Sequence, residues 1–388
     1  MGHKSLVSIV KTKGHGYKEI EQGIREAISL SGGLEGLFSS RDLVLIKPNL
    51  VVVPPHRLNG AVTRWEVCKA VADLVREAGG KPVIADSAAV GVETEEVIAA
   101  TGYDKLREKG YEVVDLKARP RVKRALPGGL VLKEVTTFDL VEEARAIISV
   151  PVMKTHDQTE ITLSLKNLKG LIDDLDKRRL HQEGVLQGVL DLYEAFRPAL
   201  AVVDGTFCQE GLGPVHGRTL EINLILASRD LVAVDAMAGR VMGFAPEEVL
   251  ITRHGAERGL GHLDLGQIEI RGEPWEGLQR RFMRSSEDRR VEVEGLQVLH
   301  AEGSCTGCRN TVLSALFDMR KANQLGYLRD LMIITGPGVE APAGISAERV
   351  VTVGACVPKE QRGSHFVKGC PPNNAWVAEE ILMVEGEA

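Results

Sequence analysis

The chain has 388 residues, 44% hydrophobic and 26% charged, with 48 basic against 54 acidic side chains and a net charge of −6. That composition describes a folded chain long enough for two or three domains, and its acidic balance argues against nucleic-acid binding, which needs a basic surface. No apolar run reaches the roughly 18 residues of a membrane span, and the opening MGHKSLVSIVKTKG meets charges too early for a signal peptide, so a cytoplasmic protein without a membrane span is expected.

In chain order, DLVLIKPNLVVV (42–53) reads as a strand opening into a loop. TRWEVCKAVADLVREAGG (63–80) is a helix with apolar residues at helical spacing, stopped by Gly-Gly. KPVIADSA (81–88) is the next strand, TEEVIAATGYDKLREKG a helix and YEVVDL a strand. Strands follow at ARAIISVPVM (144–153), PALAVVDGTF (198–207) and NLILASRD (223–230), then a helix at 230–243. Such alternation predicts an α/β domain over residues 1–271, a parallel sheet with helices on both faces. Residues 272–295 are charged, poor in strand formers and read as a connector. A smaller α/β unit over 296–388 follows: strands at LQVLH, LMIITGPG and RVVTVGACV, and a helix at RNTVLSALFDMRKANQ.

Four of the six cysteines lie in that last unit. Cys305 and Cys308 form a C-x2-C pair, 47 residues separate Cys308 from Cys356, and 13 separate Cys356 from Cys370. Each sits beyond an expected strand or in a glycine-marked turn, the edge where open α/β sheets bind ligands. Clustered thiols in a reducing compartment read as metal ligands before disulfides. Four thiolates suit either tetrahedral zinc or an iron–sulfur cluster; a compact zinc ribbon would carry a second C-x2-C knuckle. Cys68 and Cys208 read as small buried residues, Cys208 standing nearer the candidate site groups.

Five segments place polar groups at strand ends: LIKPNL with Lys47 and Asn49; VIADSA with Asp86 and Ser87; VPVMKTHDQTEITLSLKNLKG with Lys154, His156, Thr159, Lys166 and Asn167; VVDGTFCQEGLGPVHG with Asp204 and Gly213; and ASRDLVAVD with Asp230 and Asp235. Ammonium and amide groups at one sheet edge make a pocket for a carboxylate or phosphate. Lys47, Lys154 and Lys166 are expected to hold a small anionic ligand, with Asn49, Thr159, Asn167 and Gly213 completing its site. His156 is the candidate proton donor. Asp204 and Asp235 would orient those groups, or bind a divalent metal together with Asp230. His181, His216 and His254 read as surface histidines. No dinucleotide fingerprint, P-loop or nucleophile elbow is present.

Two resemblances rest on these motifs. GSCTGCRNTVLSAL, LMIITGP, VGAC and GCPPNN resemble, in that order, the small subunit of nickel–iron hydrogenases and the cluster-bearing subunit of respiratory complex I. That resemblance implies a flavodoxin-like domain whose 4Fe-4S cluster is held by Cys305, Cys308, Cys356 and Cys370. KPNL, PVMKTHDQTEITLSLKNLKGL, VVDG, EGLGPVHG, SRDLVAVDAMAGRVMG and RGLGHLD, spanning about residues 40–265, are similar to the domain-of-unknown-function family DUF362 of anaerobic bacteria and archaea. Many of its members carry ferredoxin-like iron–sulfur modules; this chain lacks their compact cysteine run. The leading expectation is an iron–sulfur redox protein exchanging electrons with the bound anion. Alternatives are an electron-transfer or assembly partner docked on a larger redox enzyme, and metal-assisted hydrolysis or isomerisation with a structural cluster.

Overall fold

In the computed structural model, which describes residues 4–288, 293, 295–302, 305–328, 331–341 and 344–386, the β-branched runs form strands and the 3.6-period segments helices. The elements run β1 (Ser5–Lys11), α1 (Tyr17–Leu30), β2 (Leu43–Pro48), α2 (Trp65–Glu77), β3 (Lys81–Asp86), α3 (Thr94–Thr101), α4 (Asp104–Glu108) and β4 (Glu112–Asp115). There follow β5 (Arg121–Ala125), β6 (Glu134–Phe138), α5 (Asp139–Glu143), β7 (Ala146–Val150), β8 (Val152–His156), β9 (Glu160–Thr162) and α6 (Ser164–Asn167). Next come α7 (Asp174–Glu183), α8 (Val185–Phe196), β10 (Leu200–Glu210), β11 (Arg218–Ser228), α9 (Leu231–Val241), α10 (Leu250–Glu257) and β12 (Ile268–Gly272). The rest is β13 (Gln297–His300), α11 (Gly307–Lys321), β14 (Met332–Thr335), β15 (Val350–Val353), β16 (His365–Val367) and α12 (Asn374–Gly386).

Ten strands make the large sheet, in the order β12-β1-β11-β10-β7-β2-β3-β4, with β8 and β9 joined through β10. It is mostly parallel; β11 runs antiparallel to both β1 and β10, and β9 to β8. Strand alternation splits its core between two faces. Val44, Ile46, Ile148 and Val202 pack against α1 to α4. Leu45 and Ile147 face Leu132, Phe138, Leu168 and Leu192 on the other side, and Ala201 and Val203 face α8 and α9. At about 25 cal/mol per Å² of apolar surface, these two layers are the main stabilising term of the unit.

Three expected elements differ. The helix expected after β3 is broken into α3 and α4 by Gly102, whose φ of +85° ends the first turn set. The run 144–153 is broken at Pro151, which has no N–H for the ladder, so β7 pairs with β2 while β8 turns to β10 and β9. Within the expected connector, Phe282, Ser285 and Asp288 are buried, and Phe282 packs into the α9 face of the core.

The C-terminal sheet is parallel, four strands in the order β13-β14-β15-β16. α11 and α12 cover one face through Val312, Leu316, Val377 and Ile381 against Ile333, Val351 and Val353. Met332, Ile334 and Val350 form a smaller cluster on the other face. Among the described residues no helix is long and apolar enough to cross a membrane.

Candidate functional site

Carboxyl ends of β2 and β3, the β8 strand and the α6 turn converge on a cavity of about 640 Å³, the volume range of small-molecule sites. Its wall is completed by Ser314 on α11 and by Asn373, Asn374 and Trp376 at the start of α12. The two sheets therefore share one cavity. Lys47, Asn49, Lys154, His156, Lys166, Asn167 and Gly213 all line it, as do Lys169, Lys177 and His181.

Lys47, near the end of β2, and Lys154, in the middle of β8, are fully committed. The Lys47 ammonium pairs with Asp86 at 2.6 Å and donates to Pro48 O and Asn167 Oδ1. Gly170 closes over that pair, since a Cβ there would lie 2.0 Å from Asp86 Oδ1. Lys154 donates to Asn49 Oδ1 at 2.8 Å, to Ala61 O and to Pro214 O. Burial lowers the pKa of both lysines, Lys154 most strongly.

Residues two apart on a strand share a face, so His156 stands beside Lys154. His156 Nε2 lies 3.1 Å from Lys166 Nζ. Its Nδ1 lies 2.9 Å from Gln158 N and 2.8 Å from Asp157 Oδ1; a neutral ring that accepts from Lys166 at Nε2 carries its one proton on Nδ1, where Asp157 accepts it. Burial, and then the Lys166 charge, push His156 down to about 4, so the ring is neutral at pH 7. Burial brings Lys166 to about 8. The group that can give up a proton near neutrality is thus the Lys166 ammonium, with the neutral imidazole as its neighbour, in place of His156, the donor expected from sequence.

Asp204 and Thr159 are not brought to this cavity. β10 continues to Glu210, so Asp204 lies mid-strand, fully buried, accepting from Arg64 N–H and from Thr206 N–H and Oγ1–H. Thr159 donates to Ile161 O within its own turn. Asp230 caps α9 by accepting from Ala233 N–H. Asp235 accepts from Ser164 N–H at 2.8 Å, Leu165 N–H at 3.0 Å and Ser164 Oγ–H at 2.5 Å; burial raises it to about 7. The three aspartates do not assemble with His156, because their oxygens serve local amides and hydroxyls. Among the described residues, no three or more His, Cys, Asp or Glu groups are gathered tightly enough for a single metal ion.

Lys169 is the residue that sequence reasoning misses, and His181 the one it sets aside as a surface histidine. Lys169 follows Lys166 by three positions, in the turn 168–171 that continues α6, and its ammonium contacts His181 Nε2. The available signal was the spacing K-x-x-K, which puts both side chains on one helical face. His181 is buried rather than a surface histidine.

The four C-terminal cysteines sit at the carboxyl edge of the second sheet: Cys305 and Cys308 at the start of α11, Cys356 after β15 and Cys370 after β16. Burial raises the Cys308 thiol, and the charges of Cys305, Cys356 and Cys370 raise it further. Cys305 acts in the same way on Cys356 and Cys370. The thiols are therefore within electrostatic reach of one another. Gly354, at φ +118°, leaves a cradle between two of them: a Cβ there would lie 2.8 Å from Cys308 Sγ and 3.7 Å from Cys356 Sγ. Cys208 is buried in β10.

Cysteine edge and cavity meet at Cys370. Its N–H donates to His181 O at 3.1 Å and its carbonyl accepts from Val185 N–H at 3.0 Å. Gln158 Nε2 donates to Pro372 O at 3.0 Å beside it.

Comparison with known proteins gives three likenesses. A family model described as "Domain of unknown function (DUF362)" matches residues 44–240, just over half of the chain. The thylakoid-associated protein sll1697 of Synechocystis sp. is 29% identical over 257 residues, which is 63% of this chain and 76% of that protein. The lactate racemase apoprotein from Thermoanaerobacterium thermosaccharolyticum aligns in structure with a TM-score of 0.40 and 11% identity, over 86% of this chain and 69% of that one.

Proposed function

The chain belongs to the DUF362 family, and on that premise we propose that it is an iron–sulfur redox protein whose large sheet holds the small anion with which electrons are exchanged. Cys305, Cys308, Cys356 and Cys370 would hold a 4Fe-4S cluster, in line with the resemblance of their motifs to hydrogenase small subunits. The Gly354 cradle and the mutual electrostatic reach of the four thiols fit that group. The sequence carries one C-x2-C knuckle where a compact zinc ribbon carries two. When bound, such a cluster supplies one-electron chemistry.

The observation that carries the reading is the Cys370 turn, bonded through its backbone to His181, whose ring lines the cavity beside Lys169. The chain's own residues do the rest. Lysines neutralise the anion and hold it against the wall nearest Cys370. A ligand that gains an electron gains negative charge, and the Lys166 ammonium is the group placed to return a proton, with His156 Nε2 at its side. Asp157 beside Nδ1 steadies the ring.

Anaerobic purification with iron and sulfide analysis, followed by paramagnetic resonance of the reduced protein, tests this. Equal iron and sulfide, about four of each per chain, are expected. Protein that stays colourless, or takes up zinc at the same cysteines after anaerobic reconstitution, would sink the reading.

A second reading keeps the cluster and gives it a protein partner. Cys305, Cys356 and Cys370 are exposed, so electrons have a route that bypasses the cavity. A stoichiometric large subunit recovered from native extract would favour that reading.

A further inference from the structure

Donor accounting separates the lysines of the cavity. A lysine ammonium carries three N–H donors. Lys47 and Lys154 each spend theirs on three acceptors. Lys177 does likewise, on Ser87 O, Ala88 O and Asp174 Oδ1. Lys166 and Lys169 differ. Among the described residues each meets one partner, and in both cases it is an imidazole Nε2, of His156 and of His181. Neither has a carboxylate within ion-pairing distance among the described residues, so each keeps two N–H donors for whatever occupies the cavity that both line.

We propose that Lys166 and Lys169 are a two-ammonium clamp for one dianionic phosphoryl group, backed by His156 and His181. The inference rests on reading the cavity as an anion site and does not require the cluster. Three positions apart, the two side chains leave the same face of one short helical segment and can close on a single group. Two positive charges match the dianion, and four spare donors match its three terminal oxygens. A lone carboxylate offers half that charge and two oxygens. The cavity of about 640 Å³ leaves room for the remainder of an ester beyond the clamp.

The charges around the clamp agree with this. Lys166 is faced by Lys154, His156, Asp157, Lys169 and His181, and Lys169 by Lys166, Lys177, His181, Asp157 and Asp174. Burial holds both ammoniums below their ordinary pKa. A dianion in contact restores their charge, so its binding takes up protons.

Calorimetric titration of the full chain with inorganic phosphate, glycerol phosphate, acetate and succinate tests the clamp. Phosphate or its ester should bind, and the tighter of the two tells whether the group arrives free or esterified. Acetate and succinate should bind at least about tenfold more weakly. Lys166→Met and Lys169→Met should each weaken phosphate by about thirtyfold, while Lys166→Arg and Lys169→Arg retain most of the affinity. The Met variants should melt no lower than wild type in phosphate-free buffer, since each removes an uncompensated buried charge. Unchanged phosphate affinity in the double Met variant overturns the clamp, as does succinate or acetate binding as tightly as phosphate. Arg variants that lose binding as fully as the Met ones also overturn it. Iron content of the same preparations reports separately on the redox reading: iron-free protein that still binds phosphate leaves the clamp standing.

Discussion

A histidine two residues beyond a lysine on one strand face is an obvious proton donor on paper, yet at His156 burial and the Lys166 charge reverse the assignment. The consequence is a pH dependence with a definite sign. The empty site loses the Lys166 charge as pH rises through about 8, whereas an anion in contact holds the proton on. The Lys166 contribution to anion affinity is therefore full below that value and falls above it, towards about tenfold per pH unit; calorimetry from pH 6.5 to 9.5 should show the fall, and Lys166→Met should flatten it. The same lysine bears on stability. Its folded pKa lies below the unfolded value near 10.4, so between about 8 and that value the unfolded chain binds more protons and stability rises with pH. A second residue-scale prediction concerns Gly354. Gly354→Ala puts a Cβ at 2.8 Å from Cys308 Sγ on a residue held at φ +118°, costing roughly 1–3 kcal/mol; iron retained per chain after anaerobic reconstitution should drop sharply, while phosphate binding at Lys166 and Lys169 persists.

At the scale of elements, the site depends on a four-residue helix that cannot stand alone. Asp235 on α9 holds α6 by accepting two backbone N–H groups and the Ser164 hydroxyl. Asp235→Ala abandons those donors in the core, at about 3 kcal/mol or more, and frays the segment that carries Lys166 and Lys169. Melting temperature and phosphate affinity should fall together, which a purely structural aspartate elsewhere would not produce. The sequence showed Asp235 as a strand-end acid and a possible metal ligand; its service to α6 is a contact across 71 residues, which no local pattern encodes. Elements built on local rules were legible: α2 with its Gly-Gly stop, β3, β15 and α11 follow from apolar period and turn residues. Breaks needing tertiary context were not. Pro151 sits between two pairing partners, and the β10–β11 antiparallel pair, extending to Glu210 and Arg218, swallowed Asp204 into a strand interior. Lysines, too, were readable as a set but not by role, because only their acceptors distinguish Lys154 from Lys166.

Over the whole molecule, the two sheets act on one cavity, and this coupling is open to measurement. The second sheet supplies the wall formed by Ser314, Asn374 and Trp376. Asp318 on α11 anchors that wall: it meets His216 Nε2 at 3.0 Å on the β10–β11 loop and accepts from Asn374 Nδ2–H at 2.6 Å at the start of α12. That loop also holds Pro214, whose carbonyl accepts from Lys154. Asp318→Ala removes the link without touching a cysteine or a clamp lysine. Two hydrogen bonds of about 0.5–1.5 kcal/mol each are lost at a partly exposed seam, so the fold should survive and the wall should loosen. Phosphate affinity is expected to fall several-fold, with iron per chain unchanged and hydrogen exchange faster at Asn374 and His216. If exchange quickens and affinity does not move, the wall is a bystander and the large sheet binds its anion unaided. If affinity falls as expected, the cysteine-bearing sheet is part of the binding site, and the hydrogen bonds of Cys370 with His181 and Val185 join two halves of one functional unit.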